Sequence, residues 1–187
     1  MKYLIVGLGN PGEDYKNSRH NVGYTVLDSL AKKFGTAFSD KRYAYVTEVK
    51  VRGKILILVK PTTYMNLSGN AVNYYLRKEK MPLENMMIVV DDLALPLGTI
   101  RIKTKGGSGG HNGLQHIEDT LASNDYIRMR VGIGSEYNRG HQVDYVLGDW
   151  KTEEMKNLSD KIELAVDAIL SFPHIGIERT MNLYNNK

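Results

Sequence analysis

Short apolar runs alternate along this chain with stripes at helical spacing, and the alternation predicts its elements. Residues 2–7, with Tyr3-Leu4-Ile5-Val6 at the centre, read as a buried strand. A loop rich in glycine, asparagine, proline and charge fills 8–19. From Asn21 the apolar positions Val22, Val26, Leu27, Leu30 and Phe34 fall at helical spacing, and Gly35 closes the run as a C-cap. Residues 43–51 are β-rich, Arg52-Gly53 turns the chain, and 54–59 returns as the other arm of a hairpin that Lys60-Pro61 stops. A helix starting near Ser68 carries Ala71, Val72, Tyr75 and Leu76. Residues 86–90 form a buried strand ending on Asp91-Asp92, 99–103 a strand of alternating faces, and 126–134 the last strand. Between these last two lies a short helix with Leu114, Ile117 and Leu121.

Residues 135–150 read as a loop. Thr152 is expected to cap a helix with Glu153 and Glu154 in its first turn, where negative charge complements the dipole. Its stripe holds Leu158, Ile162, Ala165, Val166 and Ile169, and after Pro173 a final short helix carries Ile177 and Met181. The order β-α-β-β-α-β-β-α-β-α-α predicts an α/β fold: a single domain over 1–187, with a mixed central β-sheet flanked by helices on both faces.

Composition removes several classes of chemistry. The 187 residues contain no cysteine, which excludes disulfides, thiolate nucleophiles, and iron–sulfur or Cys-type zinc sites. The net charge of +4 tilts weakly toward a polyanionic partner. The apolar run at residues 3–6 is too short for a signal peptide, and no run approaches the roughly 18 apolar residues of a membrane span. A cytoplasmic protein without membrane contact is expected.

The chemistry-bearing residues gather at the strand ends. Gly7-x-Gly9-x-x-Gly12 matches the dinucleotide fingerprint in letters, but the helix begins some residues too late for its N-terminus to face a pyrophosphate. Gly106-x-Ser108-x-Gly110 matches a nucleophile elbow, with Asp144 and His174 downstream as possible partners. The same glycines also suit an anion-binding nest at a helix start, flanked by Lys103 and Lys105. His20 and His111 sit among glycines and asparagines at strand-to-helix junctions, whereas His116 falls inside a helix, and His141 and His174 fall in loops without an evident partner. No pair of histidines has a zincin spacing, so no metal site is expected. Asp91-Asp92 is open to three readings: a solvated turn, a magnesium pair, or an acid that orients a histidine. A His–Asp couple suffices to activate water. Asn10, Asn66 and Asn112 each end a strand-to-helix connection, and an amide can donate to an oxyanion without changing charge.

Five segments, taken in order, resemble bacterial peptidyl-tRNA hydrolase. They are Gly7-Leu8-Gly9-Asn10-Pro11-Gly12, Arg19-His20-Asn21-Val22-Gly23, the Lys60 to Gly69 stretch, Asp91 to Gly98, and Gly109-Gly110-His111-Asn112-Gly113-Leu114. Each is weak alone; the ordered set is specific and spans nearly the whole chain. The resemblance implies a monomeric esterase that needs no cofactor and cleaves peptide from the terminal ribose of peptidyl-tRNA, holding its acceptor arm and 3′ end. It implies His20 as general base, Asp91 as its orienting acid, and Asn10, Asn66 and Asn112 as groups that position substrate and water or stabilise the oxyanion. Tyr15, Asn21, Met65 and His111 would line the peptide and ribose groove. Lys103 and Arg130 would clamp the tRNA 5′ phosphate, with Lys105 and Arg128 beside them on the RNA side. Val90, Ala94 and Lys105 depart from the family's pattern. A serine esterase using Ser108 and a non-catalytic RNA-binding domain remain as rival readings.

Overall fold

The computed structural model describes all of residues 1–187. Seven strands form one sheet in the order β2-β3-β4-β1-β5-β7-β6. They are β1 (Lys2–Gly7), β2 (Ser39–Lys41), β3 (Ala44–Val51), β4 (Lys54–Pro61), β5 (Met86–Asp92), β6 (Ile100–Lys103) and β7 (Ile127–Gly132). The four central strands β4, β1, β5 and β7 run parallel, while β2 and β3 add an antiparallel hairpin at one edge and β6 an antiparallel strand at the other.

The central strands are apolar on both faces, and their period of two divides one sheet between two cores. Leu4, Val6, Ile57, Val59, Met86, Ile88 and Val90 face α2 (Ser68–Lys78) and α3 (Asn112–Leu121). Tyr3, Ile5, Leu56, Leu58, Met87 and Val89 face α1 (Val22–Lys33) and α5 (Thr152–Ile175). The remaining helices are α4 (Gln142–Leu147) and α6 (Ile177–Tyr184). The mixed sheet with helices on both faces is therefore as expected.

Four local expectations change. A short strand, β2, precedes the hairpin. The segment 135–150 is not all loop, because α4 forms within it. Thr152 is the first residue of α5 rather than its cap; the N-cap position is Lys151, whose backbone N–H donates to Glu154 Oε1 at 2.8 Å. Pro173 lies inside α5, which runs on to Ile175, so His174 is helical rather than in a loop. That proline removes a single N–H in the last turn of a helix already held by a buried stripe, a small loss beside the packing it keeps.

The glycines of the first loop serve packing. A Cβ on Gly23 would lie 2.5 Å from both Leu8 N and Val89 O, and one on Gly7 would strike the Gly23 carbonyl. The start of α1 thus presses backbone to backbone on the ends of β1 and β5, and α1 begins only at Val22 rather than at the second glycine, as the dinucleotide fingerprint requires. The same close approach brings His20, three residues before Gly23, to the C-terminal edge of the sheet. In open α/β sheets ligands bind at that edge.

Candidate active site

Asp91 is the penultimate residue of β5 and is buried, 4% exposed. His20 is the middle residue of a 3₁₀ turn, Arg19–Asn21, that runs into α1. Its Nδ1 lies 2.9 and 2.8 Å from the two Asp91 carboxylate oxygens. Nδ1–H therefore donates to Asp91, and Nε2 is left with a lone pair and no protein partner. His111 Nε2 also meets Asp91 Oδ1, at 2.8 Å. Its Nδ1 accepts the backbone N–H groups of Gly113 and Leu114, capping α3. An Nδ1 that accepts carries no proton, so His111 is held as the Nε2–H tautomer and donates to the same acid.

Charge follows from this geometry. Burial alone would lower the His20 pKa, but the charge of Asp91 and its hydrogen bond outweigh burial and raise it above the ordinary 6.5. Burial alone would raise the Asp91 pKa; its two histidine partners instead hold the carboxyl well below the usual range, so it stays ionised. His20, Asp91 and His111 also form a cluster of metal-ligand atom types. The separations of each histidine from Asp91, 2.8–2.9 Å, are hydrogen-bond lengths. Ligands on a tetrahedral zinc stand about 3.3 Å apart.

The asparagines divide by role. Asn10 is buried and its Oδ1 accepts from Met65 N at 2.7 Å, which turns its NH₂ group away with no protein acceptor. Asn21 is not a groove residue. It is 1% exposed, and its amide bonds both the N–H and the C=O of Asn10, at 2.8 and 2.9 Å. Asn21 thus joins the turn of His20 rigidly to Asn10. Met65 is buried beside Gly113, while Asn66 and Asn112 are exposed and Tyr15 is half-buried. No hydrogen bond ties the side chains of Asn66, Asn112 or Tyr15 to the His20–Asp91 couple.

A cavity of about 490 Å³ opens over the couple, lined among others by His20, Asp91, His111, Asn112, Arg130 and the glycine loop. Its far wall is Tyr137, Gln142, Val143 and Val146, from α4 and the segment before it. Reading 135–150 as loop missed that wall, although Val143, Val146 and Leu147 already stand at helical spacing. Arg19 was missed as well. Its buried guanidinium donates to Tyr145 O and Glu154 Oε1 and lies 4.1 Å over the Tyr145 ring, so it anchors α4 and α5 to the turn of His20.

Three expectations fail on packing. Arg128 shares a strand face with Arg130 but is fully buried, so it is not available to a phosphate. Its guanidinium donates to the carbonyls of Gly106, Asn124 and Tyr126 and pairs with Glu118, bracing the base of the glycine loop. Arg130, partly exposed, donates to Gly107 O, while Lys103 and Lys105 are exposed. Cross-strand register sets Arg101 opposite Arg130, and Lys103 lies two residues along β6 on the same face, so the exposed part of this edge carries Arg101, Lys103 and Arg130 together. Ser108 is no nucleophile elbow: it is buried, its Oγ donates to Gln115, and no histidine is among its partners. Asp144 pairs with exposed His141 instead. Nor is the start of α3 an open anion site, since His111 occupies its first free N–H groups.

Fold and site together define a histidine–carboxylate centre of the kind that activates water: a buried acid and an oriented histidine with a free nitrogen, at the carboxyl edge of a mixed sheet and beside a basic face. A family model described as peptidyl-tRNA hydrolase matches residues 4–187. Peptidyl-tRNA hydrolases from Cytophaga hutchinsonii and Phocaeicola vulgatus are 57% and 56% identical over 187 residues, covering all of both chains. The crystal structure of peptidyl-tRNA hydrolase from Acinetobacter baumannii superposes with a TM-score of 0.92 at 32% identity, over 98% of this chain and 94% of that one. The chain belongs to the peptidyl-tRNA hydrolase family.

Proposed function

We propose that the protein hydrolyses the ester joining a peptide to the terminal ribose of tRNA, with His20 as general base. The observation that carries this reading is the His20–Asp91 couple with Nε2 free. Neutral His20 takes a proton from water at Nε2, and the water oxygen bonds to the ester carbonyl carbon. Asp91 stabilises the imidazolium that results. The NH₂ group of Asn10 donates to the oxyanion, because its other end is committed to Met65. The C–O bond to ribose then breaks, and the imidazolium returns the proton to the departing ribose oxygen. The products are a free peptide acid and tRNA.

Asn66, Asn112, Met65 and Tyr15 are assigned to the walls of the peptide and ribose groove. Lys103, Lys105 and Arg130 are assigned to phosphates of the acceptor arm, and Arg101 extends that face. Such contacts position RNA without reading its sequence, so affinity falls steeply with salt. The protein acts as a monomer in the cytoplasm, on tRNA released before translation finishes. No helix is long and apolar enough to cross a membrane.

The test is hydrolysis of N-acetyl-aminoacyl-tRNA beside free aminoacyl-tRNA, in EDTA, by wild type and His20→Ala. Cleavage of the blocked substrate alone, reduced by about 10²–10⁴ in the variant, is expected. Full activity in His20→Ala overturns the mechanism.

A further inference from the structure

The basic face and the catalytic couple account for the tRNA and the ester, but the opposite end of the same sheet edge carries an unexplained surface. There the β2–β3 hairpin turns through Arg42-Tyr43. The Arg42 guanidinium lies 5.0 Å from the Tyr43 ring and 5.5 Å from the Tyr74 ring, and the two rings meet edge-on at 5.5 Å. Apart from one bond to the Tyr43 hydroxyl, Arg42 spends no donor on the protein. Tyr75 holds the turn from beneath, its hydroxyl donating to Arg42 O at 2.6 Å. Tyr43 is 37% exposed and has a φ of 64°. A bulky residue in the left-handed region carries strain that a glycine or asparagine would not.

This tip is joined to the active site by one short segment. Thr62 N donates to Tyr43 O, and three residues later Met65 N donates to Asn10 Oδ1. Between them Tyr64 is 59% exposed. From Asp91 on β5 the tip lies three strands across, through β1 and β4 to β3, or about 14 Å at the spacing of neighbouring strands. The basic residues lie the other way, on β7 and β6. A substrate whose tRNA occupies the basic end and whose ester sits at His20 has the exposed Tyr64 segment and the tip on its other side, away from the RNA. About 14 Å is the reach of roughly four extended residues.

We propose that Arg42, Tyr43 and Tyr74, with Tyr64 on the approach, form a distal subsite for the peptide part of the substrate. It takes an aromatic side chain about four residues from the ester, stacked on the tyrosine rings, while the free Arg42 donors meet peptide carbonyls. The proposal rests on the reading that the ester lies at His20 with RNA on the basic side. It gives longer peptides an advantage that a single blocked residue lacks.

The experiment compares N-acetyl-aminoacyl-tRNA with an N-acetyl-pentapeptidyl-tRNA that has the same residue at the ester and phenylalanine at the fourth position. For wild type the pentapeptide is expected to show a kcat/KM roughly three- to tenfold higher, the worth of one aromatic pairing. Tyr43→Gly removes the ring and suits the positive φ, so the fold is kept. It and Arg42→Gln are expected to bring the ratio toward one and to leave the short substrate unchanged. A wild-type ratio of one overturns the proposal, as does an unchanged ratio in both variants. Equal loss on both substrates also overturns it and marks the surface as RNA-binding or structural. His20→Ala is assayed alongside: if it keeps activity, the catalytic reading fails, and the length ratio is read separately.

Discussion

Replacing Asp91 by asparagine tests the site more sharply than removing the histidine, because His111 decides which way the new amide points. Asp91 accepts one hydrogen bond from His20 Nδ1 and one from His111 Nε2, all at 2.8–2.9 Å. His111 must donate there, since its Nδ1 is occupied by two backbone N–H groups. In Asp91→Asn the amide oxygen therefore turns to His111, and the NH₂ group faces His20 Nδ1. That nitrogen becomes an acceptor, the ring proton moves to Nε2, and the base is blocked in the wrong tautomer. The imidazolium also loses its counter-charge. An asparagine in the equivalent place of a Ser-His-Asp triad costs about 10⁴ in kcat by the same tautomer error. The expected loss here is on the order of 10³–10⁴ in kcat, with KM little changed, measured by single-substrate kinetics on N-acetyl-aminoacyl-tRNA. Adding His111→Ala frees the amide to turn its oxygen to His20, and about tenfold of the lost rate is expected to return. A single variant within tenfold of wild type, or a double variant slower than the single, refutes the tautomer argument.

The pH profile follows from the shifts at the couple. His20 must be neutral to act, and its pKa is raised, so kcat/KM should fall as pH drops through a value above 6.5. Stability behaves differently: the depressed Asp91 pKa contributes stability above its ordinary value of 3.8 that is lost as pH falls below it, readable by thermal melts from pH 6 to about pH 2. Arg128→Met should cost about 2–4 kcal/mol by chemical denaturation, because it strands Glu118 and three carbonyls, while leaving the salt dependence of tRNA binding unchanged. Arg130→Gln should do the reverse, reducing the salt slope by about one with little loss of stability. Gly23→Ala should destabilise by about 2–3 kcal/mol, since its Cβ meets two backbone atoms at 2.5 Å that cannot move apart without opening α1 from the sheet.

The local part of this molecule was legible in the chain itself. Runs such as Leu4-Ile5-Val6 and Met87-Ile88-Val89 specify strands buried on both faces, because a period of two with no polar member leaves neither face for water. The stripe from Leu158 to Ile169 specifies α5 in the same way. His20, Asp91 and Asn10 stand out by position, at the ends of such runs, and the absence of cysteine narrowed the chemistry they can perform. The five ordered segments carried the family.

What only the tertiary structure decided are relations between residues distant in sequence. Arg128 and Arg130 look alike on an alternating strand, but one is sealed under Glu118 and the glycine loop, and the other is not. Asn21 and Asn10 differ in the same manner: the first is consumed by backbone and the second is left with a free amide, which depends on where Met65 arrives. The tautomer of His111 is set by the start of its own helix, and its effect is exerted on Asp91, twenty residues earlier in the chain. Periodicity reports which face of an element is apolar. It does not report which polar groups meet, because a hydrogen bond is decided within a fraction of an ångström by all the elements that pack around it.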